Sequence, residues 1–185
     1  MPLEVNDPMG EELKVLAIVP AFNEEENIVS TVEDLLSNAP GVDHVVINDG
    51  SSDRTEAICL EHGFNVITLP VNLGLAGGFQ TGMKYAFAHG YDYAVQFDAD
   101  GQHDPSDAAA MVDRAREEDL AFVLGSRFRD GAHAQVGSVK RAMLRLGALI
   151  ARLRTGMALT DTHNGLRVIR ADALAHVHLT HSRMA

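Results

Sequence analysis

The sequence has one cysteine, Cys59, no tryptophan, and only 15 basic residues against 26 acidic ones. A single cysteine excludes an intrachain disulfide and a thiolate-rich metal site, and it fits a reducing cytoplasm. The shortage of Lys and Arg leaves a net charge of −11 and a pI near 5.1, so no global basic field draws in nucleic acid. No run approaches the roughly twenty apolar residues that a membrane-spanning helix needs. Residues 1–13 are acidic and polar, lack an apolar signal core, and read as an N-terminal tail. A G-x-G-x-x-G sequence is missing after the first apolar run, which speaks against a dinucleotide dehydrogenase. What is present is 185 residues with 46% hydrophobic content, enough for one good core and a single domain over 14–185.

Strands and helices alternate along the chain. The apolar run 14–19, stopped by Pro20, predicts a buried strand. Asn23 then predicts the cap of a helix opened by Glu24, Glu25 and Glu26, with Ile28, Val32, Leu35 and Leu36 on one face. A second strand, 44–47, leads into Asn48-Asp49-Gly50-Ser51-Ser52-Asp53, turn residues ending in a helix cap. The helix from Arg54 to about His62 is closed by Gly63. A third strand, 65–69, is followed by Asn72-Leu73-Gly74-Leu75-Ala76-Gly77-Gly78, and then by a helix through Gln80, Met83, Ala86 and Phe87. The fourth strand, 93–97, runs into Asp98-Ala99-Asp100-Gly101-Gln102-His103-Asp104-Pro105. Helix 107–118, strand 120–124 and the exit Gly125-Ser126-Arg127-Phe128 come next, then a loop over 129–137. A polar turn from Asp161, a short strand through 170, and a helix from Ala171 or Asp172 complete the pattern. Such alternation predicts an α/β layered fold with a largely parallel sheet.

Four polar or glycine-rich clusters fall at four successive strand ends, and in such sheets ligands bind beyond the carboxyl ends of the strands. Two carboxylates one residue apart, Asp98 and Asp100, suit a divalent cation whose other ligands are waters and substrate phosphates. Taken alone, the same aspartates equally supply turn and cap chemistry. Segment 138–154 differs in composition, with five basic residues, no acidic one, and an apolar stripe of Met143, Leu146, Leu149, Ile150 and Leu153. It suits either an anionic membrane surface or an ordinary packing helix with solvated arginines. His176, His178 and His181 read as surface histidines.

The ordered set VPAFNEEENI (19–28), NDGSSDRT (48–55), NLGLAGGFQTGMKYA (72–86), QFDADGQHDP (96–105), GSRF (125–128) and DTHNGLRVIR (161–170) resembles the family 2 glycosyltransferases. Within them it is similar to the branch of dolichol-phosphate mannose synthase and bacterial polysaccharide glycosyltransferases. The resemblance implies a GT-A fold, a Rossmann-like, mostly parallel sheet flanked by helices. It implies inverting, metal-dependent transfer of a sugar from a GDP-, UDP- or dTDP-sugar in glycolipid or cell-surface polysaccharide synthesis. By the same resemblance Pro20, Ala21 and Glu24 border the base and ribose, Asp49 binds the base or ribose edge, and Gly74 belongs to the glycine loop on the nucleotide side. Asp98, Asp100 and Gln102 hold Mg²⁺ or Mn²⁺ against the diphosphate, and Arg127 and Arg167 meet phosphate, for which a guanidinium fork is suited. Asn48 stands where the family commonly has an aspartate, and Leu75-Ala76 where it often has a basic residue. The family's catalytic domain continues past the arginine-bearing strand, so 14–185 is expected to be a C-terminally shortened domain.

The implied acceptor is a polyprenyl phosphate or a lipid-linked saccharide. A phosphate acceptor is already an anion; a sugar hydroxyl needs a base in hydrogen-bond reach, for which Asp161 and His163 are the candidates. The implied place is the cytoplasm, at the inner face of the membrane if 138–154 docks there. A glycosidase would place its paired carboxylates across the scissile bond, not at neighbouring turn positions. A non-catalytic sugar-nucleotide-binding module and a nucleotidyltransferase are the alternatives.

Overall fold

A computed structural model describes residues 13–98, 105–126, 152, 156 and 166–176. The chain divides into two compact units, residues 1–123 with 166–185, and residues 124–165. The first unit carries nearly all that follows. The elements among the described residues are β1 (Val15–Ala21), α1 (Ile28–Asn38), β2 (Val42–Asn48), α2 (Thr55–Glu61), β3 (Val66–Thr68), α3 (Leu75–Ala88), β4 (Tyr93–Gln96), α4 (Pro105–Glu117), β5 (Phe122–Leu124), β6 (Arg167–Arg170) and a 3-10 helix (Ala171–His176).

The sheet order is β3-β2-β1-β4-β6-β5. β1 pairs in parallel with β2 and with β4, β2 in parallel with β3, and β4 antiparallel with β6. The largely parallel sheet expected from the sequence is therefore present, with one antiparallel pair. β1 is covered on both faces, which is why its sequence is continuously apolar. Its odd residues Val15, Ala17, Val19 and Ala21 share a core with Ile28, Val32 and Leu35 of α1, Cys59 of α2 and Val112 of α4. Its even residues Leu16 and Ile18 pack with Phe79, Met83 and Ala86 of α3. The result is a sheet with α1, α2 and α4 sharing the core on one face and α3 packed on the other.

Several boundaries differ from the sequence expectation, each for a physical reason. Pro20 does not stop β1, which runs on to Ala21. The Phe97 N–H donates to the Ile18 carbonyl, so even residues of β1 turn their backbone toward β4, and Pro20 lies past the last β1–β4 pair, Ile18 with Gln96. Its missing N–H therefore costs no ladder bond. Asn23 is not a helix cap: its φ is +57°, and α1 begins only at Ile28 behind Asn27. The carboxylates of Glu24 to Glu26 thus precede the helix, and Leu36 is 41% exposed, outside the expected apolar face. α3 starts at Leu75, before Gly77-Gly78, where the two preceding amides are held by Asp49, the residue after β2. β3 and β5 are shorter than expected, β2 is longer, and α4 starts with Pro105. The last expected helix is a 3-10 helix over Ala171–His176.

Among the described residues, no helix is long and apolar enough to cross a membrane.

Candidate active site

From β1 the chain steps to β2 and β3 on one side, and α3 then returns it to β4 on the other. The loops leaving β1 and β4 diverge at this switch point, where open α/β sheets leave a crevice for ligands. Asp98 follows β4 after Phe97 at that edge. Because β6 is antiparallel to β4, its first residue, Arg167, lies opposite Gln96, so Arg167 arrives at the same edge from a part of the sequence far from Asp98.

Strand alternation puts Gln96 and Arg167 on the face covered by α3. Gln96 is buried, and its Nε2 donates to Asp98 Oδ1 at 2.8 Å. The Arg167 guanidinium carbon stands 5.8 Å from the centre of the Phe79 ring, within the range of a cation–π contact. Burial pushes the Arg167 pKa down, and the charge of Asp98 opposes that shift. A partly buried carboxylate and a partly buried guanidinium, each held by a buried neighbour, thus lie at the same end of β4, where Arg167 pairs with Gln96 two residues before Asp98. The carboxylate offers hard oxygen to a divalent cation and the guanidinium offers a fork to phosphate.

The loops after β1 and β2 are tied to each other. Asn23 Oδ1 accepts from the Ser52 N–H at 2.8 Å, and Ser51 Oγ accepts from the Asn23 N–H at 3.0 Å. Thr55 Oγ1 accepts from the Glu24 N–H at 2.9 Å, Asp53 Oδ2 from the Glu25 N–H at 3.1 Å, and Glu25 Oε2 from the Arg54 N–H at 3.0 Å. Asp53 also takes the Thr55 hydroxyl at 2.6 Å and the Thr55 N–H at 3.0 Å. Burial works against its charge, but the bonds from Thr55 and Glu25 outweigh that and hold its carboxyl below the usual range. α2 starts at Thr55 behind Arg54, one residue later than expected, so Asp53 stands before the N-cap, accepting from the Thr55 N–H and tying down the first loop.

Pro20 and Ala21 close β1, and Pro20 Cβ would lie 3.6 Å from a Cβ placed on Gly78 of α3. Glu24, half-buried, accepts from Asn27 Nδ2 at 3.0 Å. Asn48 is buried, donating to Thr68 Oγ1 at 3.2 Å and accepting from the Ser51 N–H at 3.2 Å. Asp49 receives the N–H groups of Leu73 and Gly74, each at 2.7 Å. Gly74, at φ +77°, precedes the first residue of α3.

Residues 16–177 match the profile of Glycosyl transferase family 2. The chain belongs to glycosyltransferase family 2. It is 32% identical over 173 residues to the undecaprenyl-phosphate mannosyltransferase of Micrococcus luteus, covering 90% of this chain and 70% of that protein. It is also 32% identical over 179 residues to the UDP-N-acetylglucosamine–dolichyl-phosphate N-acetylglucosaminyltransferase of Methanococcus voltae, covering 86% of this chain and 70% of that protein. The glucosyl-3-phosphoglycerate synthase of Mycobacterium tuberculosis, solved with Mn²⁺, UDP-glucose and phosphoglyceric acid, superposes with a TM-score of 0.67 at 22% identity. That superposition covers 88% of this chain and 58% of the solved one. This likeness establishes the GT-A fold of the family 2 glycosyltransferase.

Of the residues expected at the site, Pro20, Ala21, Glu24, Asp49, Gly74, Asp98 and Arg167 are described, and the structure brings Asp98 and Arg167 together. Asp100, Gln102, Arg127, Asp161 and His163 lie outside the described residues, as do the loop 129–137 and nearly all of 138–154. Gln96 and Phe79, which hold the Asp98 and Arg167 pair, were missed. Gln96 opens the 96–105 motif without an assigned role there, although a buried glutamine at the end of an apolar run needs a polar partner nearby.

Proposed function

We propose that this glycosyltransferase transfers a sugar from a nucleoside diphosphate sugar to a polyprenyl phosphate, with inversion at the anomeric carbon. The observation that carries this reading is the strand pairing that sets Arg167 opposite Gln96, two residues before Asp98, at the sheet's switch point. Pro20, Ala21 and Glu24 border the base and ribose, with Gly74 on the nucleotide side. Arg167, joined by Arg127, meets phosphate, with its guanidinium over the Phe79 ring.

The hard carboxylate oxygens of Asp98 and Asp100, with the Gln102 carbonyl oxygen, fit Mg²⁺ or Mn²⁺. Such an ion, when bound, neutralises charge developing on the diphosphate leaving group. Arg167 contributes in the same sense from the protein, as a fixed cation that needs no reorganisation when the bond breaks.

Support for the acceptor comes from the two relatives, whose names both carry a polyprenyl phosphate while their sugars differ. A phosphate oxygen is already a nucleophile, so transfer to it requires no base; if a saccharide hydroxyl is the acceptor, Asp161 or His163 takes its proton. The basic segment 138–154 would bring the enzyme to the anionic inner face of the membrane, where such lipids are presented.

The test is a transfer assay with GDP-mannose, UDP-glucose and UDP-N-acetylglucosamine, polyprenyl phosphate in mixed micelles, and Mn²⁺ or EDTA. A lipid-linked sugar formed with Mn²⁺ and lost with EDTA is expected. Nucleotide binding with no transfer to a lipid phosphate or a saccharide would leave only a non-catalytic binding module.

A further inference from the structure

Gln96 is the last residue of β4, and only 1% of its surface is exposed. A side-chain amide out of water is costly unless it is hydrogen-bonded, and an apolar residue in its place would carry no such cost. The core on its face of the sheet is apolar, with Leu16, Ile18, Ala94, Ile169 and Phe79. Within that setting the Gln96 amide is directed at one charged acceptor, Nε2 donating to Asp98 Oδ1 at 2.8 Å. A bond of this kind to a carboxylate is stronger than one between neutral groups.

The two residues differ in how the backbone holds them. Gln96 has a register partner on each side, Ile18 of β1 and Arg167 of β6. Asp98 lies past the last pair with either strand. A carboxylate beyond the ladder is therefore gripped by a side chain rooted within it, and sites held from a strand are more precise than sites held by a loop. Burial also decides what Gln96 does not do, since it presents almost no surface to a ligand.

We infer that Gln96 is a positioning residue for the cation site: from the end of β4 its amide fixes the orientation in which the Asp98 carboxylate takes a divalent cation, without itself contacting the ion or the donor. This rests on the reading of Asp98 given above. Hydrogen bonds behind a ligating carboxylate set its geometry, and losing one typically costs about 10–100-fold in metal affinity.

The experiment compares wild type, Gln96→Met and Val95→Ala in three measurements: Mn²⁺ Kd from free Mn²⁺ by electron paramagnetic resonance with nucleoside diphosphate present, nucleotide Kd in EDTA, and Tm. Gln96→Met keeps the volume and removes the donor. It is expected to weaken Mn²⁺ binding by at least about tenfold, with the nucleotide Kd in EDTA within about twofold. Val95, buried on the opposite face of the same strand, controls for a merely weakened strand. Val95→Ala is expected to lower Tm and leave the Mn²⁺ Kd within about twofold. A wild-type Mn²⁺ Kd in Gln96→Met would overturn the inference, as would an equal loss of Mn²⁺ affinity in Val95→Ala. If Gln96→Met does not fold, Gln96→Asn decides: its amide stays polar but is one carbon shorter, and wild-type Mn²⁺ affinity there overturns the inference. A wild type that binds no Mn²⁺ overturns it as well. A wild type that binds Mn²⁺ but transfers no sugar overturns the transferase reading instead, and the Mn²⁺ affinities still decide the role of Gln96.

Discussion

Two glycines of α3, four residues apart, should respond to alanine in opposite directions. A Cβ on Gly82 would overlap Ile18 Cγ2 and lie 2.8 Å from Cγ1 and 3.0 Å from Cδ1. Ile18 is fully buried on the central strand, and its branch atoms at Cβ cannot swing out of the way. Forced overpacking of this kind costs about 1–3 kcal/mol, against a helix-propensity gain from Gly to Ala of about 0.8–1.0 kcal/mol. With the clash on the atoms nearest the Ile18 backbone, the upper half of the cost applies, and Gly82→Ala should lose about 1–2 kcal/mol net. A Cβ on Gly78 meets only Pro20 Cβ at 3.6 Å and Ile47 Cγ2 at 3.7 Å, ordinary contact distances. Gly78→Ala should therefore gain about 0.5–1 kcal/mol. Thermal unfolding resolves both, at roughly 2–4 °C per kcal/mol for a chain of this size. Ile18→Ala removes all three clashing atoms, so in the double variant the cost of Gly82→Ala should largely vanish, a non-additivity of about 1–2 kcal/mol. Equal stabilisation by both alanines would refute the close approach of α3 to β1.

Three further outcomes follow from single side chains. The Cys59 thiol is pushed up to about 11, first by burial and then by the charge of Glu56. Ellman's reagent at about pH 8 should thus label it far more slowly in native than in urea-unfolded protein, and equal rates would contradict its burial. His44 is held below its ordinary range by burial, with Asp43 opposing, and its Nε2 accepts from the Asn65 N–H at 3.3 Å, so the folded state favours the neutral ring. The unfolded chain takes up this proton first as pH falls. The contribution is therefore complete above about pH 6.5 and is lost as pH falls through the depressed folded value. The drop in stability between neutral pH and about pH 5 should be smaller in His44→Gln than in wild type; an equal drop would refute the assignment. Asn23→Ala should cost roughly 1–3 kcal/mol, through the left-handed backbone and the loss of the acceptor for Ser52. Asn23→Gly, which relieves the backbone, should cost less, and a neutral Asn23→Ala in urea unfolding would mean that the tie between the first two loops contributes nothing.

The layered fold and the edge that carries the site were legible because both rest on periodic patterns. β1 reads as continuously apolar since it is covered on both faces, and the polar clusters at 20–24, 48–53 and from Asp98 on mark strand ends that the parallel pairing then aligns. The misses involve contacts distant in sequence. Asn23 has the residue type of a helix cap, but its partners are Ser51 and Ser52 on another loop. The early start of α3 depends on Asp49, 24 and 25 positions before the amides it caps. Gln96 and Phe79 become part of the site only through the antiparallel pairing that delivers Arg167 to Gln96, and no local pattern announces a strand's direction.

The central claim is that Asp98 forms part of a metal and diphosphate site, and nucleotide binding tests it most directly. Wild type and Asp98→Ala are titrated with GDP, UDP and dTDP, with and without Mn²⁺, following thermal stability. A ligand present at about 100 times its Kd adds about 2.7 kcal/mol to the native state. At least one nucleotide should therefore raise the wild-type Tm by several degrees with Mn²⁺, and Asp98→Ala should lose that Mn²⁺-dependent part while remaining folded. A Mn²⁺-dependent shift of wild-type size in Asp98→Ala, or no shift of wild type with any of the three nucleotides, would contradict the account.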